Sequence, residues 1–253
     1  MAALLTPKTG FPLDLEQNFK SIVPYTLEEA HEVAETIEHG EMEALKSELG
    51  DLLFQVVFYA RLAEEEELFD FDEVVAAIIE KMIRRHPHVF GGQQSALTND
   101  EIKGQWERIK TAERNTDSND AKEKCERVLD GVPLTLPALS RAIKLQDKAA
   151  RVGFDWPSLK PVFDKMREEL QELEHEIDNQ TDMDRIEDEY GDLLFVMANV
   201  GRHLKLDPEQ AMRRANSKFV TRFQVIEDLL QEAGKAPENS TLEEMEELWQ
   251  IAK

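Results

Sequence analysis

One seven-residue phrase occurs twice in this chain, and it constrains the fold more than any bulk property does. Glu48-Leu-Gly-Asp-Leu-Leu-Phe54 returns as Glu189-Tyr-Gly-Asp-Leu-Leu-Phe195, changed at a single position. The flanks repeat too. Glu28-Glu29-x-x-Glu32 precedes the first copy and Glu168-Glu169-x-x-Glu172 the second. Lys81-x-x-x-Arg85 follows the first and Lys218-x-x-x-Arg222 the second, and Trp106 and Trp249 close the two series. An ordered series of acidic pairs, a basic pair and a tryptophan that occurs twice marks a duplicated unit. With 253 residues the chain has room for two units of ordinary domain size. The expected division is a first module over 1–113, a linker over 114–130 and a second module over 131–253.

Both modules read as helix. Apolar residues recur at helical spacing, Gly and Pro are sparse, and no alternating β-branched stretch occurs. The expected helices are 27–39, 41–65, 71–85 and 99–113, then 137–151, 158–178, 182–204, 207–233 and 241–252. Thr26-Leu-Glu-Glu29 has the form of a capping box at the start of the first helix, and Gly40 ends it. The fold class is all-α, two tandem related helical-bundle modules.

Composition narrows the function classes. The net charge of −23 opposes a nucleic-acid partner, since the densest basic stretch is only Lys81-Met-Ile-Arg-Arg85. No run of about 18 apolar residues is present to span a membrane. The opening Met1-Ala-Ala-Leu-Leu-Thr-Pro-Lys8 is too short and polar for a secretory signal, and Cys125 is the lone cysteine, so neither a disulfide framework nor a cysteine metal site is expected. A cytoplasmic location fits these features.

The repeated carboxylates carry the chemistry. Residues three apart share a helix face. Glu29 with Glu32, and Glu48 with Asp51, therefore point together in pairs, and Glu169, Glu172, Glu189 and Asp192 repeat the arrangement. Packing the two helices of a module antiparallel gathers four carboxylates. At 4 Å and an effective dielectric of 20, each like-charge pair costs about 4 kcal/mol. A hard cation such as Mg²⁺ relieves that cost and keeps positions for water and phosphate. Acidic spacing alone is weak, because 53 of 253 residues are Asp or Glu and Glu244-x-x-Glu247 has the spacing without a partner pair. Context strengthens it. Asp51 and Asp192 each head a helix apolar on nearly every face, which should be mostly buried, where an unpaired carboxylate is costly. Gly50 and Gly191 lie mid-helix, where each costs about 1 kcal/mol relative to Ala, and close approach of another helix or of a ligand would account for them.

These phrases, with Pro24-Tyr-Thr-Leu-Glu-Glu29, Arg84-Arg-His-Pro-His-Val-Phe90 and Val152-Gly-Phe-Asp-Trp156, closely resemble the MazG family of nucleoside triphosphate pyrophosphohydrolases, over essentially the whole chain. The resemblance implies hydrolysis of NTPs or dNTPs to monophosphate and pyrophosphate by a homodimer using Mg²⁺, with Mn²⁺ as a substitute. It implies metal ligation by Glu169, Glu172, Glu189 and Asp192, phosphate binding by Lys218 and Arg222, and nucleotide contacts from Trp249 and Arg185. The first-module counterparts are Glu29, Glu32, Glu48, Asp51, Lys81, Arg85 and Trp106. Glu168 or Glu169 would take the proton from water. The family's opening Gly-Cys-Pro-Trp-Asp reads Gly10-Phe-Pro-Leu-Asp14 here, which favours the second module as the main active site. Two other readings stay open: a regulatory protein whose first half is a degenerate, dimer-forming copy, and a narrow-specificity all-α hydrolase of dUTP or phosphoribosyl-ATP. The two-module form predicts broad base tolerance. Solvated faces would explain the basic pairs, core packing would explain Trp249, and His86 and His88 suit a turn better than a metal.

Overall fold

The computed structural model describes residues 16–90 and 127–253, and every regular element among them is helical. In the first unit these are α1 (Phe19–His39), α2 (Met42–Glu65), α3 (Phe71–Arg85) and the single turn α4 (Pro87–Phe90). The second has α5 (Ala138–Arg151), α6 (Leu159–Asp178), α7 (Met183–Leu204), α8 (Pro208–Glu232) and α9 (Leu242–Ile251), with a 3₁₀ turn at Pro237–Asn239. The contacts divide the chain into units 1–122 and 123–253. The helix expected at 99–113, most of the linker, Trp106 and the Gly10–Asp14 segment lie outside the described residues.

The first helix begins eight residues earlier than the sequence reading has it. Asn18, not Thr26, caps it: its side chain accepts from the backbone of Lys20 and Ser21, and the Ser21 hydroxyl accepts from the Asn18 N–H at 2.9 Å. Pro24 sits inside the helix and forfeits one backbone bond. Packing compensates. Ile22 is buried against Phe58 of α2, and Phe19 stacks on Tyr59 at 6.1 Å. Thr26 instead donates to the Ile22 carbonyl at 3.2 Å and lies 3.1 Å from the Tyr59 hydroxyl. The same four letters at Thr241-Leu-Glu-Glu244 do form a capping box, at the start of α9. Gly40, with φ 75°, ends α1 in the left-handed conformation that glycine tolerates.

Each unit is organised around a helical hairpin, α1–α2 in the first and α6–α7 in the second. Helix α5 packs against α7, and α8 against both α9 and α5. Val132, Ala142, Val162, Val196, Ala198, Ile226 and Leu230 are the buried apolar positions described in the second unit. The expectation that α2 and α7 would be mostly buried fails. Leu49, Leu53, Phe54 and Val56 on α2, and Tyr190, Phe195 and Met197 on α7, are exposed. A unit of a few helices covers only one face of its central hairpin. Of the two neighbours expected at Gly50 and Gly191, another helix is not found there, since a Cβ at either would meet nothing within 4 Å among the described residues.

Candidate active site

In the second unit, carboxylate oxygens of Glu169, Glu172 and Glu189 lie within 4.8 Å of one another. Glu169 and Glu172 come from one face of α6 and Glu189 from the facing turn of α7. Their burial is graded: Glu169 is buried, Glu189 half-buried and Glu172 exposed. Asp192, the fourth residue expected here, stands one turn further along α7, is exposed and falls outside the trio. Lys165, one turn before Glu169, was missed by the sequence reading. Its ammonium is 2.8 Å from both Glu168 and Glu169. Hydrogen bonds to Glu168 and then Glu169 hold its pKa well above the ordinary lysine value. The carboxyl of Glu172 is pushed up, by partial desolvation first and then, against the opposing Lys165 charge, by Glu169 and Glu189. One internal cation thus serves one edge of the cluster while like charges still crowd the other.

The first unit gathers a different three of its four. Glu29, Glu48 and Asp51 come within 4.8 Å. Glu32 is outside that trio and borders, with Glu35, Thr36, His39, Glu41 and Glu48, an open depression of about 440 Å³. The Glu29 carboxyl is raised by desolvation and then by the charges of Glu32 and Asp51, opposed by Gln55, whose amide donates to it at 3.5 Å. A neutral amide stands beside Glu29 where an ammonium stands beside Glu169.

Arg222 and Arg185 have partners away from the carboxylate trio. The Arg222 guanidinium lies 5.5 Å from the centre of the Trp249 ring, and Trp249 packs against Phe219 at 5.4 Å, fastening α9 to α8. Lys218 is exposed, one turn before Arg222. Arg185 is 3.5 Å from Glu176, a buried carboxylate one turn beyond Glu172 whose Oε2 has no partner among the described residues. The 169, 172, 176 spacing was visible in the sequence but hidden among many other acids. Lys81 and Arg85 are half-buried on α3. His86 caps the end of that helix with Nδ1 2.9 Å from the Met82 carbonyl, the turn role expected of it.

A cavity of about 500 Å³ opens between α5, the Gly153–Trp156 turn and α7. Asp155 braces the turn against α7: its Oδ1 accepts from the Arg202 guanidinium and the Trp156 N–H, and lies 3.3 Å from His203 Nε2. The Arg202 hydrogen bond, ahead of the other causes, holds the Asp155 carboxyl below its usual value. Phe195 and Asn199, one and two turns after Asp192, line the cavity floor.

A sequence model of the MazG nucleotide pyrophosphohydrolase domain matches residues 17–90 and again 158–225. The chain is 46% identical over 254 positions to the nucleoside triphosphate pyrophosphohydrolase of Escherichia coli K12, covering 100% of this chain and 94% of that one. It is 40% identical over 253 positions to the nucleoside triphosphate pyrophosphohydrolase/pyrophosphatase MazG of Thermotoga maritima, covering 100% and 92%. A nucleoside triphosphate pyrophosphohydrolase of Mycobacterium tuberculosis is 34% identical over 148 residues, 58% of this chain and 42% of its own.

Proposed function

The chain belongs to the MazG nucleotide pyrophosphohydrolase family, and from that premise we propose that it hydrolyses nucleoside and deoxynucleoside triphosphates to the monophosphate and pyrophosphate, using Mg²⁺ at the second module. The observation that carries this reading is the convergence of Glu169, Glu172 and Glu189. Their donor set suits the ion. All are hard carboxylate oxygens within 4.8 Å of one another, a range that includes the about 4 Å that opposite ligands of one Mg²⁺ span. When bound, Mg²⁺ (or Mn²⁺ in its place) supplies charge neutralisation at the triphosphate and acidifies a coordinated water. Asp192, one turn away, is the fourth ligand of this proposal.

The chain's own groups do the rest. Lys165 pairs with Glu168 and Glu169 and fixes their orientation. Glu168, on the exposed side of that ammonium, accepts the proton of the attacking water. Lys218, Arg222 and Arg185 donate charge-assisted hydrogen bonds to phosphate oxygens, and the Trp249 ring steadies Arg222. In the first module Glu29, Glu32, Glu48 and Asp51 can hold a second ion, with Lys81 and Arg85 as its basic pair. A homodimer would cover the exposed apolar faces of α2 and α7. The cytoplasm is the location that goes with this substrate.

Product identification tests the whole reading. Each nucleoside triphosphate should yield monophosphate and pyrophosphate in equal amounts, and EDTA should abolish both. Release of orthophosphate, or full activity in EDTA, would overturn it. Turnover confined to dUTP or phosphoribosyl-ATP would move the chain to the narrow-specificity reading.

A further inference from the structure

Glu176 is a buried carboxylate whose presence the stability of the fold does not explain. It sits one turn after Glu172 on α6 and is 8% exposed, with Oε1 3.5 Å from Arg185 of α7 and Oε2 buried without a partner among the described residues. The Arg185 side chain is 67% exposed. An ion pair open to water on one side stabilises a protein little, and a desolvated oxygen left bare is costly. Nor does this side chain close the α6–α7 turn. The Glu176 backbone carbonyl does that, accepting from Thr181 Oγ1 at 3.0 Å and from the Thr181 N–H at 3.2 Å, with Gln180 left-handed at φ 50° between them.

The first unit lacks both members of the pair. With α6 aligned on α1 and α7 on α2 through their carboxylates, Glu176 matches Thr36 and Arg185 matches Ala44. Thr36 keeps its hydroxyl on carbonyls of its own helix, and Ala44 has no charge to be held. The α1–α2 hairpin packs without either charge. The acid and the base therefore go together, and they serve something other than the hairpin.

We propose that Glu176 is a positioning residue for the hydrolysis: it holds the Arg185 guanidinium by one nitrogen, so that the remaining N–H donors face the phosphates of a nucleotide at the carboxylate trio. The assignment rests on the hydrolase reading and adds how part of its phosphate grip is kept in place. Arg185 is one turn before Glu189 and Glu176 one turn after Glu172, so the pair stands about 6 Å along the hairpin from the trio. A metal-bound phosphate and a guanidinium span that distance between them. A guanidinium has five donors in one plane, and the contact to Oε1 engages a single nitrogen. An arginine already leaning on a buried carboxylate also loses less rotamer freedom on gripping a phosphate than one free in water.

A double-mutant cycle on the full-length chain tests this, read as the Kd of inorganic tripolyphosphate in Mg²⁺ by calorimetry. Arg185→Ala should weaken binding about tenfold or more, the value of a charge-assisted hydrogen bond. Glu176→Gln should weaken it about threefold to tenfold in the wild-type background and leave it within about twofold in the Arg185→Ala background. The sign is diagnostic. A carboxylate acting by charge alone repels phosphate, so neutralising it would tighten binding in both backgrounds. Glu176→Thr, which installs the first-unit residue, should match Glu176→Gln and decides the matter should Glu176→Gln fail to fold. Neither variant should lower the melting temperature in EDTA. In turnover Glu176→Gln should raise the KM of ATP and leave kcat within about twofold, whereas a loosened hairpin would spread the trio and lower kcat. Tighter or unchanged tripolyphosphate binding, equal losses in both backgrounds, or a lower melting temperature with a fall in kcat would overturn the assignment. Coupling of the two residues in a chain that releases no pyrophosphate would sustain the pair and sink the hydrolase reading.

Discussion

Removing one carboxylate from the second-module cluster should stabilise the metal-free protein and destabilise it relative to wild type once Mg²⁺ is added. Glu189→Gln is the sharpest case, because Glu189 is half-buried and its oxygen lies within 4.8 Å of one on the buried Glu169. Two unit charges at that distance repel by about 3.5 kcal/mol at an effective dielectric of 20, and by about 0.9 kcal/mol in bulk water. Exposure of Glu189 pulls the value toward the lower figure, and the Lys165 ammonium at 2.8 Å from Glu169 offsets part of what is left. A gain of about 1 kcal/mol in EDTA is the expectation, a rise of roughly 2–4 °C in melting temperature for a chain of this size. Saturating Mg²⁺ stabilises the wild type by mass action, about 2.7 kcal/mol at a hundred times Kd. The variant lacks a ligand and gains less, so the order of the two proteins inverts. Paired thermal melts in EDTA and in Mg²⁺ read this directly. A variant less stable than wild type by the same margin in both buffers would refute the reasoning, since Glu189 would then be held by the protein and not repelled within it.

Three further outcomes follow from the geometry. Glu172→Ala should lower pyrophosphate release at least about a hundredfold, the scale of losing metal-supplied charge stabilisation, whereas Glu32→Ala should leave most of it; the reverse order in a coupled pyrophosphate assay would shift the active site to the first module. Asp155→Asn should cost about 1–3 kcal/mol near neutral pH by weakening the bond to Arg202. Because the folded Asp155 pKa is depressed, its contribution is fully present above the ordinary 3.8 and lost as pH falls through the lower folded value, so the gap in urea midpoints between variant and wild type should narrow in acid. Thr241→Ala should cost about 1 kcal/mol by uncapping α9, and should change tryptophan emission through Trp249.

The helices were largely legible because periodicity and caps are local. The expected 71–85 coincides with α3, and 41–65, 158–178 and 182–204 each start one residue before α2, α6 and α7 and end with them. Failure came where tertiary contact outvoted local text. Pro24 and the Thr26 phrase point to a helix start, yet Ile22 on Phe58 and Phe19 on Tyr59 extend the helix through the proline. At the site, repetition located the carboxylates, but spacing could not say which three would converge. That depends on the register of each hairpin, and it leaves out Glu32 in one unit and Asp192 in the other. Lys165, Glu176 and Asn199 carry no repeated signal, because at each matching position the two halves differ.

Those differences say where the halves have parted. Aligned on their carboxylates, Tyr25 corresponds to Lys165, Thr36 to Glu176 and Phe58 to Asn199. Thr36 satisfies its hydroxyl within its own helix, on the Glu32 and Val33 carbonyls at 2.8 and 3.0 Å, where Glu176 keeps a bare buried oxygen. Phe58 is 3% exposed and closes on Ile22, Tyr59 and Leu62 at the level where Asn199 faces an open cavity. Both units therefore gather three carboxylates, while among the described residues the buried Asn199 of the second borders an open cavity where the matching Phe58 of the first is packed over.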